Sequence, residues 1–408
     1  MILHLTTSNR KINSTIAISG SKSESNRLLI LQQLFKGFEI DNLSDSDDAV
    51  HMQHALNSKE ELVDIGHAGT AMRFLTAYFA VKQEREVVLT GSHRMQNRPI
   101  EILVNALQDL GAQISYEDKI GYPPIRIKGV KLNKSKVQIH GNVSSQYISA
   151  LMLIAGSLPT GLEIELLGKI TSVPYINMTL KLLHQLGIEA TFEGQIITIK
   201  PFAGTLEKNV VVESDWSSAS YFYSIIALSD INSSVTLTAY KEDSLQGDSC
   251  LAEIYTHFGV ETTFKEHSIT ITKVREAKNN PLVLDLKNAP DIAQTIAVTC
   301  FGLGIACSLT GLHTLKIKET DRLVALENEL TKLGGEISIT DESLALEKSN
   351  QINKNIAIET YKDHRMAMAF APLALRTSIK ILDANVVTKS FRSFWDNMQQ
   401  IGFQIKEE

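Results

Sequence analysis

The chain has 408 residues, 43% of them hydrophobic and 21% charged, and a formal net charge of −6. That length suits two or three globular domains, and the acidic balance argues against nucleic acid or an anionic membrane as the main partner. Cys250, Cys300 and Cys307 form neither a disulfide framework nor a metal-ligand spacing, and no apolar run reaches membrane-spanning length, so a cytoplasmic location is expected.

The N-terminal MILHLTTSNRK lacks the basic-then-apolar layout of a signal peptide. The first distinctive stretch is SGSKSESNRLLI, Ser19–Ile30. It looks like the end of a P-loop but fails as one: Ser21 separates Gly20 from Lys22, and Thr15 stands where the earlier glycine belongs. Small and hydroxylated residues before an apolar helix still make an anion site, because exposed N–H groups at a helix start favour phosphate or carboxylate. Lys22 and Arg27 add positive charge there.

GHAGTAMRFL then opens a second apolar helix, and VVLTG (Val87–Gly91) reads as a buried strand. GSHRMQNRPIEIL places Arg94 and Arg98 in a turn just ahead of a helix, with Pro99 near its first turn. Arginine matches carboxylate and phosphate by paired hydrogen bonds, although two arginines in a turn also describe an ordinary solvated surface. NVSSQYISALMLI offers Ser144, Ser145 and Gln146 either as helix caps or as partners for a hydroxylated ligand.

A repeat runs through the chain. DLGAQISY, QLGIEATF, HFGVETTF, KLGGEISI and QIGFQI each read as a helix end, a glycine and an alternating strand. Their glycines, Gly111, Gly187, Gly259, Gly334 and Gly402, are spaced 76, 72, 75 and 68 residues apart. Six units of helix, strand, helix and strand fit the chain, some with a further strand, as two halves of three with a boundary near Glu213. The first unit lacks the glycine signal. Each unit opens with a polar stretch leading into an apolar helix, the later openings being SDWSSASYFYSII, APDIAQTIAV and YKDHRMAMAF. Six such helix starts on a common side would favour anions.

In the second half, Asp291 begins the most apolar helix and is open to two readings, N-cap or functional carboxylate. Cys300 and Cys307 read as core residues of that region. KIKETDRLVALENEL offers Thr320 or Asp321 as a cap and sets Lys318, Glu319 and Arg322 at a helix start. Basic groups are poorly placed there unless an anion faces them. YKDHRMAMAF repeats the oddity with His364 and Arg365, and VTKSF adds Lys389. No His, Asp or Glu cluster has convincing metal spacing.

Taken in order, GSKSxSNR, LSDSDD, AGTAMR, RMxxRPI, SSQ, KETDRL and DHRMAMA resemble the EPSP synthase family of enolpyruvyl transferases. The resemblance spans nearly the whole chain. It implies an α/β fold of two domains, each of three repeated helix–strand units, hinged around a central cleft. The domains implied are 14–213, and 1–13 together with 214–408. It implies transfer of the enolpyruvyl group of phosphoenolpyruvate to the 5-hydroxyl of shikimate 3-phosphate, by a monomer without metal or organic cofactor. By motif, Lys22, Ser23, Arg27, Ser144, Ser145, Gln146, Ser172, Tyr175, Asp291 and Lys318 would hold shikimate 3-phosphate. Lys22, Gly69, Arg98, Gln146, Arg322, Arg365 and Lys389 would surround phosphoenolpyruvate. Asp291, Glu319 and Lys22 would be catalytic. His67, Phe74 and Thr314 depart from the usual Asn, Pro and Asn, which bears on affinity and inhibitor response. The alternatives are a sibling that acts on a UDP-sugar through a loop cysteine, and an inactive binding module of the same fold.

Overall fold

A computed structural model describes residues 1–170, 173–205, 208–349 and 351–408. The chain forms two compact units, Gly20–Val212 and Met1–Ser19 with Glu213–Glu408. Each is built around three mutually packed helices.

In the Gly20–Val212 unit these are Lys22–Leu34, Gly69–Val81 and Ser145–Ala155. They are buried nearly all round, not along one stripe; every residue from Gly69 to Ala80 is inside. Helices further out bury a single face, as Glu101–Asp109 does with Leu103, Val104, Ala106 and Leu107. The second unit repeats the plan with Trp216–Leu228, Ala293–Leu303 and His364–Phe370 at its centre.

The repeat is resolved as strand, inner helix, parallel strand, outer helix and antiparallel hairpin, so a leading strand precedes the helix from which each unit was read. One copy runs Leu62–Asp64, Glu86–Thr90, Ile125–Lys128, Gln113–Tyr116 in spatial order, the first pair parallel and the rest antiparallel. Copies over 136–199 and 282–346 have the same order. The five repeat glycines sit at φ between 76° and 106°, the left-handed conformation that ends a helix, here before such a hairpin in four copies and before the single strand Gln404–Glu407 in the last. The first copy has no hairpin among the described residues. Among the described residues its Phe38–Asp41 strand pairs with Lys208–Val211 alone, which accounts for the missing glycine signal.

Two copies exchange their leading strands. Asn13–Ile16, which precedes the Lys22–Leu34 helix, pairs parallel with Ser234–Thr238. Lys208–Val211, which precedes Trp216–Leu228, pairs with Phe38–Asp41. Residues 14–19 therefore pack with the Glu213–Glu408 segment. Leu3–Thr6 completes the last sheet there, between Ile379–Ile381 and Gln404–Glu407. Among the described residues no helix is long and apolar enough to cross a membrane.

Candidate active site

In the Gly20–Val212 unit, the GSKS glycine is required by crowding. A Cβ on Gly20 would collide with the Asn42 carbonyl oxygen and lie 2.8 Å from Val212 Cγ1. Lys22 opens the helix with its ammonium 3.7 Å from the buried Asp48 carboxylate, and Ser23 is half-buried beside it. Arg27, one turn on, is fully enclosed. Its guanidinium donates to Thr179 Oγ1 at 2.7 Å, Ser23 O at 2.8 Å, Ser149 Oγ at 3.0 Å and Tyr175 O at 3.4 Å. It also lies 5.3 Å from the centre of the Phe74 ring, so the aromatic replacing the usual proline forms a floor beneath this cation. Burial lowers the Arg27 pKa to about 10, which leaves it charged at neutral pH.

Gly69 and Arg98 are brought into contact. A Cβ on Gly69 would overlap the Arg98 guanidinium, 3.1 Å from Cζ. Gln146 Nε2 donates to Thr70 Oγ1 at 3.0 Å, joining the SSQ helix to the same glycine-led turn. The Arg98 segment is held from behind. Arg73 donates to Gly69 O at 3.2 Å and Pro99 O at 3.1 Å, and Tyr147 Oη donates to Pro99 O at 2.7 Å. His67 Nδ1 hydrogen-bonds Ser92 Oγ at 2.8 Å, and Ser92 caps the turn His93–Gln96. Arg94 is exposed on that turn, so only Arg98 of the two arginines reaches Gly69. Ser144 caps the Ser145–Ala155 helix, accepting from Gln146 N, while Ser145 is buried. Ser172 lies outside the described residues.

In the second unit the residues singled out as functional converge on Arg322, which is 2% exposed. Its Nη1 donates to Asp291 Oδ1 at 2.9 Å, Nη2 to Glu319 Oε2 at 2.9 Å and Nε to Asp363 Oδ2 at 2.7 Å. The basic charge at this helix start is thus met by the protein's own carboxylates. Asp321, not Thr320, is the cap, accepting from Leu323 N and Val324 N. Asp291 lies in a turn ahead of the Ala293–Leu303 helix, whose cap is Ile292. Its carboxylate instead meets Lys318 at 3.3 Å and Arg365 at 3.6 Å as well as Arg322. Lys389 Nζ lies 2.6 Å from Glu319 Oε1. The Thr314 hydroxyl is buried without a hydrogen-bond partner among the described residues.

Electrostatics follow from this packing. Burial pushes the Asp291 carboxyl up, but Lys318, Arg365 and Arg322 together outweigh it and hold the group well below the usual carboxylate range. Glu319 behaves likewise, with Arg322 and Lys389 outweighing burial. Both carboxylates are therefore ionised at neutral pH. Asp363 escaped the sequence reading, yet it is fully buried and accepts from Arg322 Nε and from the backbone N–H of Arg365 at 2.9 Å, placing two arginines at once. Its position next to His364-Arg365 was the available signal. Arg73 and Tyr147 were missed because their partner, the Pro99 carbonyl, carries no side-chain signature.

A family model for EPSP synthase (3-phosphoshikimate 1-carboxyvinyltransferase) matches residues 56–398. A 3-phosphoshikimate 1-carboxyvinyltransferase from Bacteroides fragilis is 45% identical over 405 residues, covering 97% of each chain. One from Haemophilus influenzae is 36% identical, covering 96% of each. Among solved structures, EPSP synthase from Acinetobacter baumannii aligns over 100% of both chains with a TM-score of 0.84 at 22% identity. The enolpyruvyl transferase NikO from Streptomyces tendae aligns over 99% of this chain and 98% of its own, with a TM-score of 0.74 at 13% identity. These last two likenesses speak to the fold, and the close relatives to descent: the chain belongs to the EPSP synthase family.

Proposed function

We propose that the protein transfers the enolpyruvyl group of phosphoenolpyruvate to the 5-hydroxyl of shikimate 3-phosphate, releasing phosphate. The observation that carries this reading is the cluster around the buried Arg322 in which Asp291 and Glu319 stay ionised among Lys318, Arg322, Arg365 and the half-buried Lys389. The reaction needs a base for the hydroxyl, a proton for the methylene carbon of phosphoenolpyruvate and cations for the phosphate that leaves. Asp291 orients or deprotonates the hydroxyl, which then attacks the adjacent carbon. Glu319, joined to Lys389, carries the methylene proton, and Lys22 is the second proton carrier. A polyanionic substrate beside Arg322 and Lys389 offsets the field that keeps Glu319 ionised, so the carboxylate can take up and return a proton. The tetrahedral adduct then loses that proton and expels phosphate.

Arg27, Ser23, Ser144, Ser145, Gln146, Ser172, Tyr175, Lys318 and Lys22 serve shikimate 3-phosphate. Gly69, Arg98, Gln146, Arg322, Arg365, Lys389 and Lys22 serve phosphoenolpyruvate. Against the UDP-sugar sibling, the stretch His93–Gln108 around Arg98 contains no cysteine. Phosphate release from phosphoenolpyruvate, measured with each acceptor in turn, tests the reading. Turnover is expected with shikimate 3-phosphate alone; turnover with the UDP-sugar only, or with neither, overturns it.

A further inference from the structure

Asp248 lies on the one-turn segment Gly247–Cys250, in a stretch that carries no family motif quoted above. Its side chain is buried, and Oδ2 is hydrogen-bonded to Ser217 Oγ. The same hydroxyl lies 3.1 Å from Arg365 Nη2. Arg365 donates further to the Asp291 carbonyl oxygen at 3.2 Å, and its Nη2 lies 3.6 Å from Asp291 Oδ2.

The direction of this chain follows from donor chemistry. A guanidinium only donates, an ionised carboxylate only accepts, and a serine hydroxyl has one proton to give. Ser217 must therefore donate to Asp248 and turn its lone pairs toward Arg365. We infer that Asp248 is a positioning residue for Arg365, acting through the Ser217 hydroxyl to fix the orientation in which the guanidinium meets phosphoenolpyruvate. This rests on the assignment of Arg365 to that substrate.

The relay depends on the charge of Asp248. Burial, with Asp291 adding to it and Arg365 and Ser217 opposing, pushes its carboxyl up to about 6. The other titratable groups near it are Asp215, which caps the Trp216–Leu228 helix, and Cys250 on its own segment. When Asp248 is protonated it becomes a donor, and Ser217 is no longer held to its one orientation.

Steady-state kinetics with phosphoenolpyruvate and shikimate 3-phosphate on Ser217→Ala, Asp248→Asn, Ser217→Thr and Arg365→Lys test the proposal. Removing a hydrogen bond to a charged group should raise the KM for phosphoenolpyruvate about tenfold in Ser217→Ala and Asp248→Asn. The KM for shikimate 3-phosphate and kcat should stay within about twofold, and Ser217→Thr, which keeps the hydroxyl, should restore wild-type values. As pH falls through about 6, the wild-type KM for phosphoenolpyruvate should rise more steeply than that of Asp248→Asn, since titration of the substrate is common to both. If Arg365→Lys raises this KM while Ser217→Ala leaves it unchanged, the relay is wrong and the assignment of Arg365 stands. If Arg365→Lys also leaves it unchanged, the assignment itself fails. Equal losses in both KM values would mark a general structural role and overturn the proposal. Ser217→Ala deletes a single atom, so the test survives any folding defect in Asp248→Asn.

Discussion

Glu319 and Lys389 are joined at 2.6 Å, while the other oxygen of the same carboxylate takes a hydrogen bond from Arg322 at 2.9 Å. The group is thus held from both sides, with a proton-bearing ammonium against one oxygen. Glu319→Gln keeps the shape and removes the proton transfer. Acid–base groups contribute about 10²–10⁴ in rate, roughly 3–5 kcal/mol of barrier. A fall of that size in kcat is expected, with little change in affinity for shikimate 3-phosphate. Near-normal kcat with a lowered Tm would leave Glu319 as a structural counter-charge only.

Arg322 requires a milder substitution than alanine. From motif alone, Arg322→Ala is expected to weaken phosphoenolpyruvate binding. In the structure it would also strip Asp291, Glu319 and Asp363 of their shared partner. Breaking a buried pair costs about 3–5 kcal/mol. Arg322→Ala should therefore lower Tm sharply, and Arg322→Lys, which keeps the charge, should lower it less while raising the KM for phosphoenolpyruvate. An unchanged Tm in Arg322→Ala would contradict the buried cluster.

Stability should depend on pH with two opposite signs. The Asp291 and Glu319 pKa values are held below the usual range, so their stabilisation is present above the unfolded values, about 3.9 and 4.3, and is lost only as pH falls through the lower folded values. Asp248, pushed up to about 6, behaves in reverse, and its ionisation costs stability as pH rises through that value. Tm measured from pH 7 to pH 5 should rise more for the wild type than for Asp248→Asn. Parallel curves for the two proteins would remove Asp248 from this balance.

Gly69→Ala should act through Arg98. The new methyl group overlaps the guanidinium and must displace it. The KM for phosphoenolpyruvate should rise, with Tm and the KM for shikimate 3-phosphate little changed. Glyphosate, which takes the phosphoenolpyruvate site in this family, should inhibit the wild type competitively with that substrate. Full wild-type activity at saturating glyphosate would refute the inhibition, and an unchanged KM in Gly69→Ala would show that Gly69 and Arg98 do not border the site.

Phe74→Leu tests the floor beneath Arg27. A cation over an aromatic face contributes about 0.5–2 kcal/mol, equivalent to roughly 2–30-fold in binding. The KM for shikimate 3-phosphate should rise within that range while the KM for phosphoenolpyruvate holds. Equal rises in both would point to general loosening of the three-helix core.

Periodicity and capping are local properties, and they made much of this protein legible in advance. The glycines at φ between 76° and 106°, the apolar helices behind polar openings and the ordered motifs from GSKS to DHRMAMA could all be read along the chain. The partners of the charged residues could not. Arg322 meets Asp291 and Asp363 across 31 and 41 positions, and Arg365 meets Ser217 across 148. No local spacing encodes such pairs, because a buried arginine looks the same in sequence as a solvated one. The exchange of strands 13–16 and 208–211 was hidden for a related reason: parallel partners are joined by no turn, so neither strand carries a sign of its neighbour. Sequence could place cations at helix starts; only tertiary packing determined that carboxylates would face them and which stay ionised, since desolvation and Coulomb energy depend on distance in space.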